Sequence, residues 1–233
     1  APPPAISTPH HMKGATTLYL ERCLETVGTD IDFSGLKIVL DCAHGAAYIV
    51  GPAAVRQLGA AVTIIGGPPD GLNIRFGVGS TATGLLKSTV TETGADIGIA
   101  FDGDADRVIV IDELGEEVDG DQVMALIAGE LHRAGRLKGG GMVATIMSNM
   151  GLAEYLKGLD LTLARTKVGD RYVGEHMRQH GFNLGGEQSG HIILSDVSTT
   201  GDGLLAALQV LKTLASSDRP ASSIMRVFEP APQ

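Results

Sequence analysis

Basic residues are scarce in this chain. Its 18 lysines and arginines stand against 27 aspartates and glutamates, a formal charge of −9 over 233 residues. No stretch of the sequence gathers the basic residues into a cluster. Binding a polyanion relies on lysine and arginine neutralising phosphates, so this balance argues against a nucleic-acid partner while leaving a small anionic substrate open. Cysteine is rarer still. Cys23 and Cys42 are the only two, without CxxC spacing, which suggests neither a disulfide framework nor a zinc site and points to core thiols in a reducing cytoplasm. No apolar run reaches the ~20 residues needed to span a bilayer, and no charged-then-apolar leader opens the chain, so a soluble protein with no membrane partner is expected. The nucleotide loop G-x-x-x-x-G-K-[ST] is missing, and GVGSTATG at 77–84 has the wrong glycine spacing for a dinucleotide loop.

What is present suits one large or two smaller α/β domains: 43% hydrophobic residues and 32 glycines. Residues 1–14, opening with APPPAISTPHHM, read as a linker or an expression scar. From there the patterns alternate. A helix carrying Leu18, Leu20, Leu24 and Val27 precedes the apolar strand LKIVLD, a helix through AAYIVGPAAVRQLG, a strand AVTIIG, a helix around 83–93 and a strand ADIGIAFD. RVIVID returns as a strand. A second run then follows: a long helix after VDGDQ, strand GMVATIMS, helix NMGLAEYLKGL, strand LTLARTKV, a helix over about 169–180, the glycine-rich LGGEQSGHIIL, and a final helix DGLLAALQVLKTLASS. Strands alternating with crossover helices imply two successive α/β domains, each a mixed or parallel sheet with helices on both faces. The boundary is expected near 116, giving units 15–116 and 117–233.

Between ADIGIAF and the returning strand lies DGDADR, with aspartates at every second position. Alternate residues of an extended loop can turn the same way, so Asp102, Asp104 and Asp106 can converge their carboxylates. Three anions that close repel unless a cation lies between them, and a hard divalent ion such as Mg2+ prefers oxygen ligands. A calcium EF-hand is the rival metal reading, since Glu113 stands at the twelfth position counted from Asp102. The sixth position, however, is Arg107 where that motif needs glycine, and the flanks read as strands. The plain alternative is a solvated acidic turn.

With DGDADR at 102–107 stand MSNMGL at 147–152, TKVGDRYV at 166–173, GGEQSGH at 185–191 and TTGDGL at 199–204. In this order the blocks resemble the α-D-phosphohexomutases, over nearly all of residues 15–233. The wording KVGDRYV and GEQSGH is similar to the phosphoglucosamine mutase branch; the phosphomannomutase and phosphoglucomutase branch more often reads GEMSGH. The resemblance implies interconversion of glucosamine 6-phosphate and glucosamine 1-phosphate through a bisphosphorylated intermediate and an enzyme phosphoserine, supplying UDP-N-acetylglucosamine and peptidoglycan. It implies Mg2+ on Asp102, Asp104 and Asp106. Arg107 would assist the phosphoryl group, Glu187 and Ser189 would hold sugar hydroxyls, Lys167 and His191 would serve proton transfer or phosphate contact, and Arg171 would bind substrate. Such roles suit phosphoryl transfer, which asks chiefly for positioning and charge stabilisation.

Ordinary readings stand beside these. Glu187 and His191 can belong to a simple turn, Asp170 can cap the helix after Gly169, Arg171 can pair with a surface acid, and Asp119 and Asp121 look like turn and cap residues. His44 and His180 read as surface or satisfied histidines. The family's T-x-S-H-N-P phosphoserine loop and R-x-S-G-T-E block find no match in the chain. The resemblance therefore implies the second and third of four domains, with the N- and C-terminal domains of the same chain as partners and no activity without them. A phosphomannomutase or phosphoglucomutase, and a non-catalytic metal- and phosphosugar-binding module, are the alternatives.

Overall fold

A computed structural model describes residues 12–232. Most of the expected linker lies outside the described residues. Helix α1 (Ala15–Val27) buries Leu20, Cys23 and Val27, whereas Leu18, expected on the same face, points to solvent. There follow β1 (Lys37–Asp41), α2 (Ala47–Gln57), β2 (Ala61–Ile65), α3 (Gly84–Thr93), β3 (Ile97–Phe101), β4 (Val108–Asp112) and β5 (Glu117–Val118). These strands form one sheet in the order β2-β1-β3-β4-β5. Strand β1 is parallel to β2 and β3, while β4 runs antiparallel to β3 with Phe101 opposite Val108. The six residues 102–107 are too few for a crossover, so the chain can only turn back. DGDADR is thereby a hairpin connection.

The second half comprises α4 (Gly120–Arg133), β6 (Gly141–Thr145), α5 (Met150–Gly158), β7 (Thr162–Thr166), α6 (Asp170–His180), β8 (Leu184–Gly186), β9 (Ile192–Leu194), α7 (Gly203–Ala215) and α8 (Ala221–Met225). Its sheet runs β7-β6-β8-β9, with β6 parallel to β7 and β8, and β9 antiparallel to β8. Strand order and direction repeat those of β2-β1-β3-β4. Each half thus ends its parallel strands in a hairpin, and the second hairpin connection is residues 187–191. Both sheets are mixed, as expected. The sequence pattern had marked LGGEQSGHIIL only as glycine-rich; β8 and β9 are three residues each, too short for a visible alternation. Strand β5 carries the first sheet two residues past the expected boundary at 116.

Helix α7 packs against α1, α2, β3 and β4 of the first half and against α4 and β9 of its own. Almost every side is covered: Leu204, Leu205, Ala206, Ala207, Leu208, Val210, Leu211 and Leu214 are all buried. One apolar core accordingly runs from Leu20 and Val27 through Ile97 and Val110 to Met124, Leu208 and Met225, across both sheets. Truncating Leu208 to alanine should remove about 2–5 kcal/mol of stability. Urea denaturation followed by circular dichroism should show this as one earlier, still single transition; two separated transitions would contradict the shared core.

Candidate metal and phosphosugar site

The metal-loop candidate is built from strand ends and one helix start. Asp102 follows directly on the buried strand β3 and is itself buried; its Oδ1 accepts from the Arg107 amide at 3.2 Å, closing the loop on itself. Ala105 adopts a positive φ of 62° at the reversal. The Gly103 carbonyl accepts from the Ala46 amide at 2.9 Å just ahead of α2, and a Cβ on Gly45 would come within 2.2 Å of that oxygen. The loop is therefore seated on α2 through a glycine.

Asp102, Asp104 and Asp106 each offer a carboxylate oxygen, all within 4.8 Å of one another. Asp102 is buried, Asp106 half-buried and Asp104 exposed, so the cluster opens to solvent on one side. Arg107 is the near cation, yet its Nε lies 3.8 Å from Asp106 Oδ1 and 3.9 Å from Asp102 Oδ2, beyond hydrogen-bond range. Asp106 Oδ1 is buried without a hydrogen-bond partner. Burial, with Asp106 and Asp104 adding to it, pushes the Asp102 carboxyl up from 3.8 to about 6. Crowded, partly desolvated oxygens with an orphaned lone pair fit a hard divalent cation. The EF-hand reading fails: strands flank the loop, and Glu113 accepts from the Ser222 amide at 2.8 Å instead of joining the cluster.

The sugar-loop candidate is the β8–β9 turn. Glu187 N–H donates to the His191 carbonyl at 2.9 Å and Gly190 N–H to the Glu187 carbonyl at 3.0 Å. The turn lies on the first turn of α4: Gly120 N–H donates to the Gln188 carbonyl at 2.9 Å, and a Cβ at Gly120 would come within 2.4 Å of the Glu187 oxygen. Asp119 caps α4 by accepting from the Gln122 amide at 3.1 Å, as expected, and its other oxygen accepts from Gln188 Nε2 at 3.1 Å. The Gln188 side chain is thus held by a helix cap. Glu187 Oε1 accepts from the Gly169 amide at 2.9 Å, joining the turn to the TKVGDRYV loop. Ser189 is exposed at the tip, and Lys167 and Arg171 are exposed along the neighbouring loop and the first turn of α6.

The two turns meet. Arg107 and His191 form an isolated antiparallel bridge, and Val108 N–H donates to the Gly190 carbonyl at 3.0 Å. TTGDGL closes the seam from below: Gly203 N–H donates to the Ala105 carbonyl at 2.8 Å, and Cβ atoms at Gly201 and Gly203 would come within 2.3 Å of His191 Nε2 and 2.5 Å of the Arg107 oxygen. Asp202 caps α7 through the Leu205 amide at 3.0 Å and accepts from the Tyr19 hydroxyl at 2.8 and 2.9 Å. His191 is 2% exposed, with Nε2 3.4 Å from Asp106 Oδ2. It lies under the metal loop, while Ser189 stands out in solvent.

Other expectations resolve differently. Asp170 caps nothing; Gly169 takes the cap position of α6 with no side-chain bond. Asp121 is a buried tie rather than a cap, accepting from the Asn149 amide at 2.7 Å. Asn149 in turn caps α5 through Gly151 at 2.8 Å and holds Ala231 by two bonds of 2.8 and 3.0 Å. This anchoring of the terminal segment, shared with Gln122, which bonds Val227 and Phe228, left no local sequence signal. His44 rests against the Pro68 carbonyl at 3.2 Å and His180 stacks on His176 at 4.1 Å, both ordinary surface arrangements.

The phosphoglucomutase/phosphomannomutase family models for alpha/beta/alpha domains II and III match residues 17–115 and 119–231. A phosphoglucosamine mutase of Hyphomonas neptunium is 70% identical over all 233 residues, which cover 52% of that relative. One from Azorhizobium caulinodans is 56% identical over the same span, again 52% of the relative. The chain spans about half the length of the curated relatives it matches. Among solved structures, a phosphoglucomutase/phosphomannomutase family protein of Burkholderia thailandensis superposes with a TM-score of 0.79 at 26% identity, covering 90% of this chain and 45% of that one. For fold alone, Aspergillus fumigatus N-acetylphosphoglucosamine mutase in complex with GlcNAc-6P and magnesium gives a TM-score of 0.69 at 22% identity, covering 92% and 54%.

The folded chain binds the Asp102 proton more tightly than an unfolded chain would, so ionising this group costs stability. That cost is absent below about pH 4 and complete above about pH 6, the window set by the rise from 3.8 to about 6. Thermal unfolding in chelator should show the metal-free chain losing stability across this window relative to Asp102→Asn. Equal pH profiles for the two would overturn the assignment. Separately, Gly201→Ala should cost on the order of 1–3 kcal/mol by overpacking the seam, read as a lowered melting temperature.

Proposed function

The chain belongs to the phosphoglucomutase/phosphomannomutase family, and from that membership we propose that it is the metal- and sugar-binding middle of a phosphoglucosamine mutase. The whole enzyme interconverts glucosamine 6-phosphate and glucosamine 1-phosphate, supplying UDP-N-acetylglucosamine and, from it, peptidoglycan. The observation that carries this reading is the backbone seam joining the aspartate cluster to the Glu187 turn, which supports a cation site beside a hydroxyl-binding loop. The 70% identical phosphoglucosamine mutase over the full chain favours glucosamine phosphate over mannose or glucose phosphate. The Gln188 side chain is held by the α4 cap, its Nε2 donating to Asp119 at 3.1 Å.

In this reading Asp102, Asp104 and Asp106 hold Mg2+, which supplies charge stabilisation for a phosphoryl group. Arg107 stands beside the cluster to meet phosphoryl oxygens. Glu187, with one oxygen on the Gly169 amide, presents its other oxygen to sugar hydroxyls, and Ser189 offers a donor and acceptor at the tip. Lys167 and Arg171 provide exposed cations for the phosphate left in place. His191, covered by Gly201 and facing Asp106, acts on the metal loop in preference to the sugar. The units 15–116 and 117–233 act with N- and C-terminal domains that bring the phosphoserine and a second phosphate site; without them the chain does not turn over. Two free, buried thiols accord with a reducing cytoplasm.

Amide-shift titration tests the reading. Mg2+ should move resonances of Asp102 to Arg107 first, and glucosamine 6-phosphate should then move those around Lys167 to Arg171 and Glu187 to Ser189. Asp104→Asn should weaken the first response by about tenfold or more, as expected for a lost charged ligand. Response to Ca2+ but not Mg2+, or sugar binding away from the Glu187 turn, would defeat the proposal.

A further inference from the structure

The seam and the sugar loop use the N-terminal ends of α4 and α7. At the opposite ends of these helices, about 20 Å away along the 14 residues of α4, lies a cavity of about 570 Å³ bounded by α4, α7 and α8. Five of the chain's 18 basic residues line it: Arg133, Arg136, Lys212, Arg219 and Arg226. Glu130 is the sole acidic residue in the lining. Five positive charges against Glu130 in the lining and Asp112 paired with Arg226 beneath it give a local balance of +3 in a chain of −9.

Helix dipoles account for part of this. Arg133 and Lys212 stand in the last turns of α4 and α7, where cations offset the partial negative charge of the helix ends. That leaves Arg136, Arg219 and Arg226. Three of the five are already oriented: Arg133 by Glu130, Arg219 by Ser223 at 2.8 and 3.0 Å, and Arg226 by the buried Asp112 at 3.1 Å. A guanidinium carries five N–H donors, so one or two engaged leave others for a ligand. The side chains of Arg136 and Lys212 make no hydrogen bond or salt bridge among the described residues, although the charge of Arg136 helps to hold the Asp196 carboxyl down. Ile127, Leu131, Ile224 and Tyr155 supply the apolar part of an otherwise polar lining.

We propose that this cavity is a second anion site, which takes a nucleoside diphosphate. Its diphosphate sits on Arg136, Lys212 and the free donors of Arg219, and its flat ring lies against the apolar lining of Ile127, Leu131, Ile224 and Tyr155. The volume falls within the roughly 300–1,000 Å³ of small-molecule pockets. A chain of this overall charge repels an extended polyanion such as nucleic acid, whereas a compact diphosphate meets only the local positive field. The site is independent of the phosphosugar site, since none of its lining residues belongs to either hairpin turn.

The test is an amide-shift titration of the chain with ADP, and in parallel with inorganic pyrophosphate, in metal-free buffer at constant ionic strength. ADP should give saturable shifts across Arg133–Leu137 and Lys212–Ser217; pyrophosphate should move the same residues more weakly, lacking a ring for the apolar lining. Affinity should fall about tenfold for each cation removed in Arg136→Ala and Lys212→Ala, as for a lost charge-assisted hydrogen bond. Lys212→Gln keeps the side-chain length and should act in the same direction, so a fold defect in the alanine variants cannot imitate the result. Lys167→Ala should leave ADP affinity unchanged. Shifts confined to Lys167–Tyr172, undiminished affinity in the Arg136 and Lys212 variants, or equal binding of pyrophosphate and ADP would overturn the proposal.

Discussion

Backbone pairing between two hairpin turns sets the geometry on which the site depends. The Arg107–His191 bridge and the Val108–Gly190 bond are made by main-chain atoms, so their alignment does not depend on side-chain rotamers. What side chains do is permit it. Gly190, Gly201 and Gly203 each lie where a Cβ would come within 2.1–2.5 Å of a neighbouring atom. Small residues here are therefore a condition of close approach. Because α7 starts at this seam and fills the space between the sheets, the apolar core holds the turns together from beneath.

The electrostatics of the aspartate cluster follow from that enclosure. Asp102 closes its loop through the Arg107 amide while being taken out of water, and the two neighbouring carboxylates share the small remaining space. Such an arrangement is strained in charge, and in backbone at Ala105, where φ is 62°. It contrasts with Asp41, also buried, whose two oxygens accept from the backbone amides of Ala43 and Gly79. Buried Asp121 has one oxygen on the Asn149 amide and the other without a hydrogen-bond partner, but no second carboxylate among the described residues crowds it into a cluster. Burial raises both of those carboxyls as well, but each serves to tie loops together.

Much of this was legible in the sequence. Alternating apolar segments revealed the helices and longer strands, because fully buried strands such as IGIAF and VIVID are continuous apolar runs. The D-x-D-x-D spacing announced converging carboxylates, and the family resemblance brought in the Glu187 turn. Less legible were features made by distant residues. Strands β8 and β9 are too short to show a period. Gln188 points to Asp119, 69 positions away, and Gln122 reaches Phe228, 106 away, so neither partner could be inferred locally. The five cations of the α4–α7 cavity are spread from Arg133 to Arg226, and only folding turns them into a patch. Asp170 misled because its position favours capping, while Glu187 from the β8–β9 turn accepts from the Gly169 amide at the start of α6.

The four strands of the second sheet repeat the order of the first four of the other, and the two candidate loops occupy the same hairpin connection, 102–107 in one and 187–191 in the other. One topological position, the hairpin that closes the parallel strands, thus carries the candidate loop in each half. A lineage built this way can acquire a new ligand by rewriting five or six residues at the tip of a hairpin, with strands, crossover helices and core left unaltered. Innovation and scaffold then evolve at separate rates, the first in the connections and the second in the sheets.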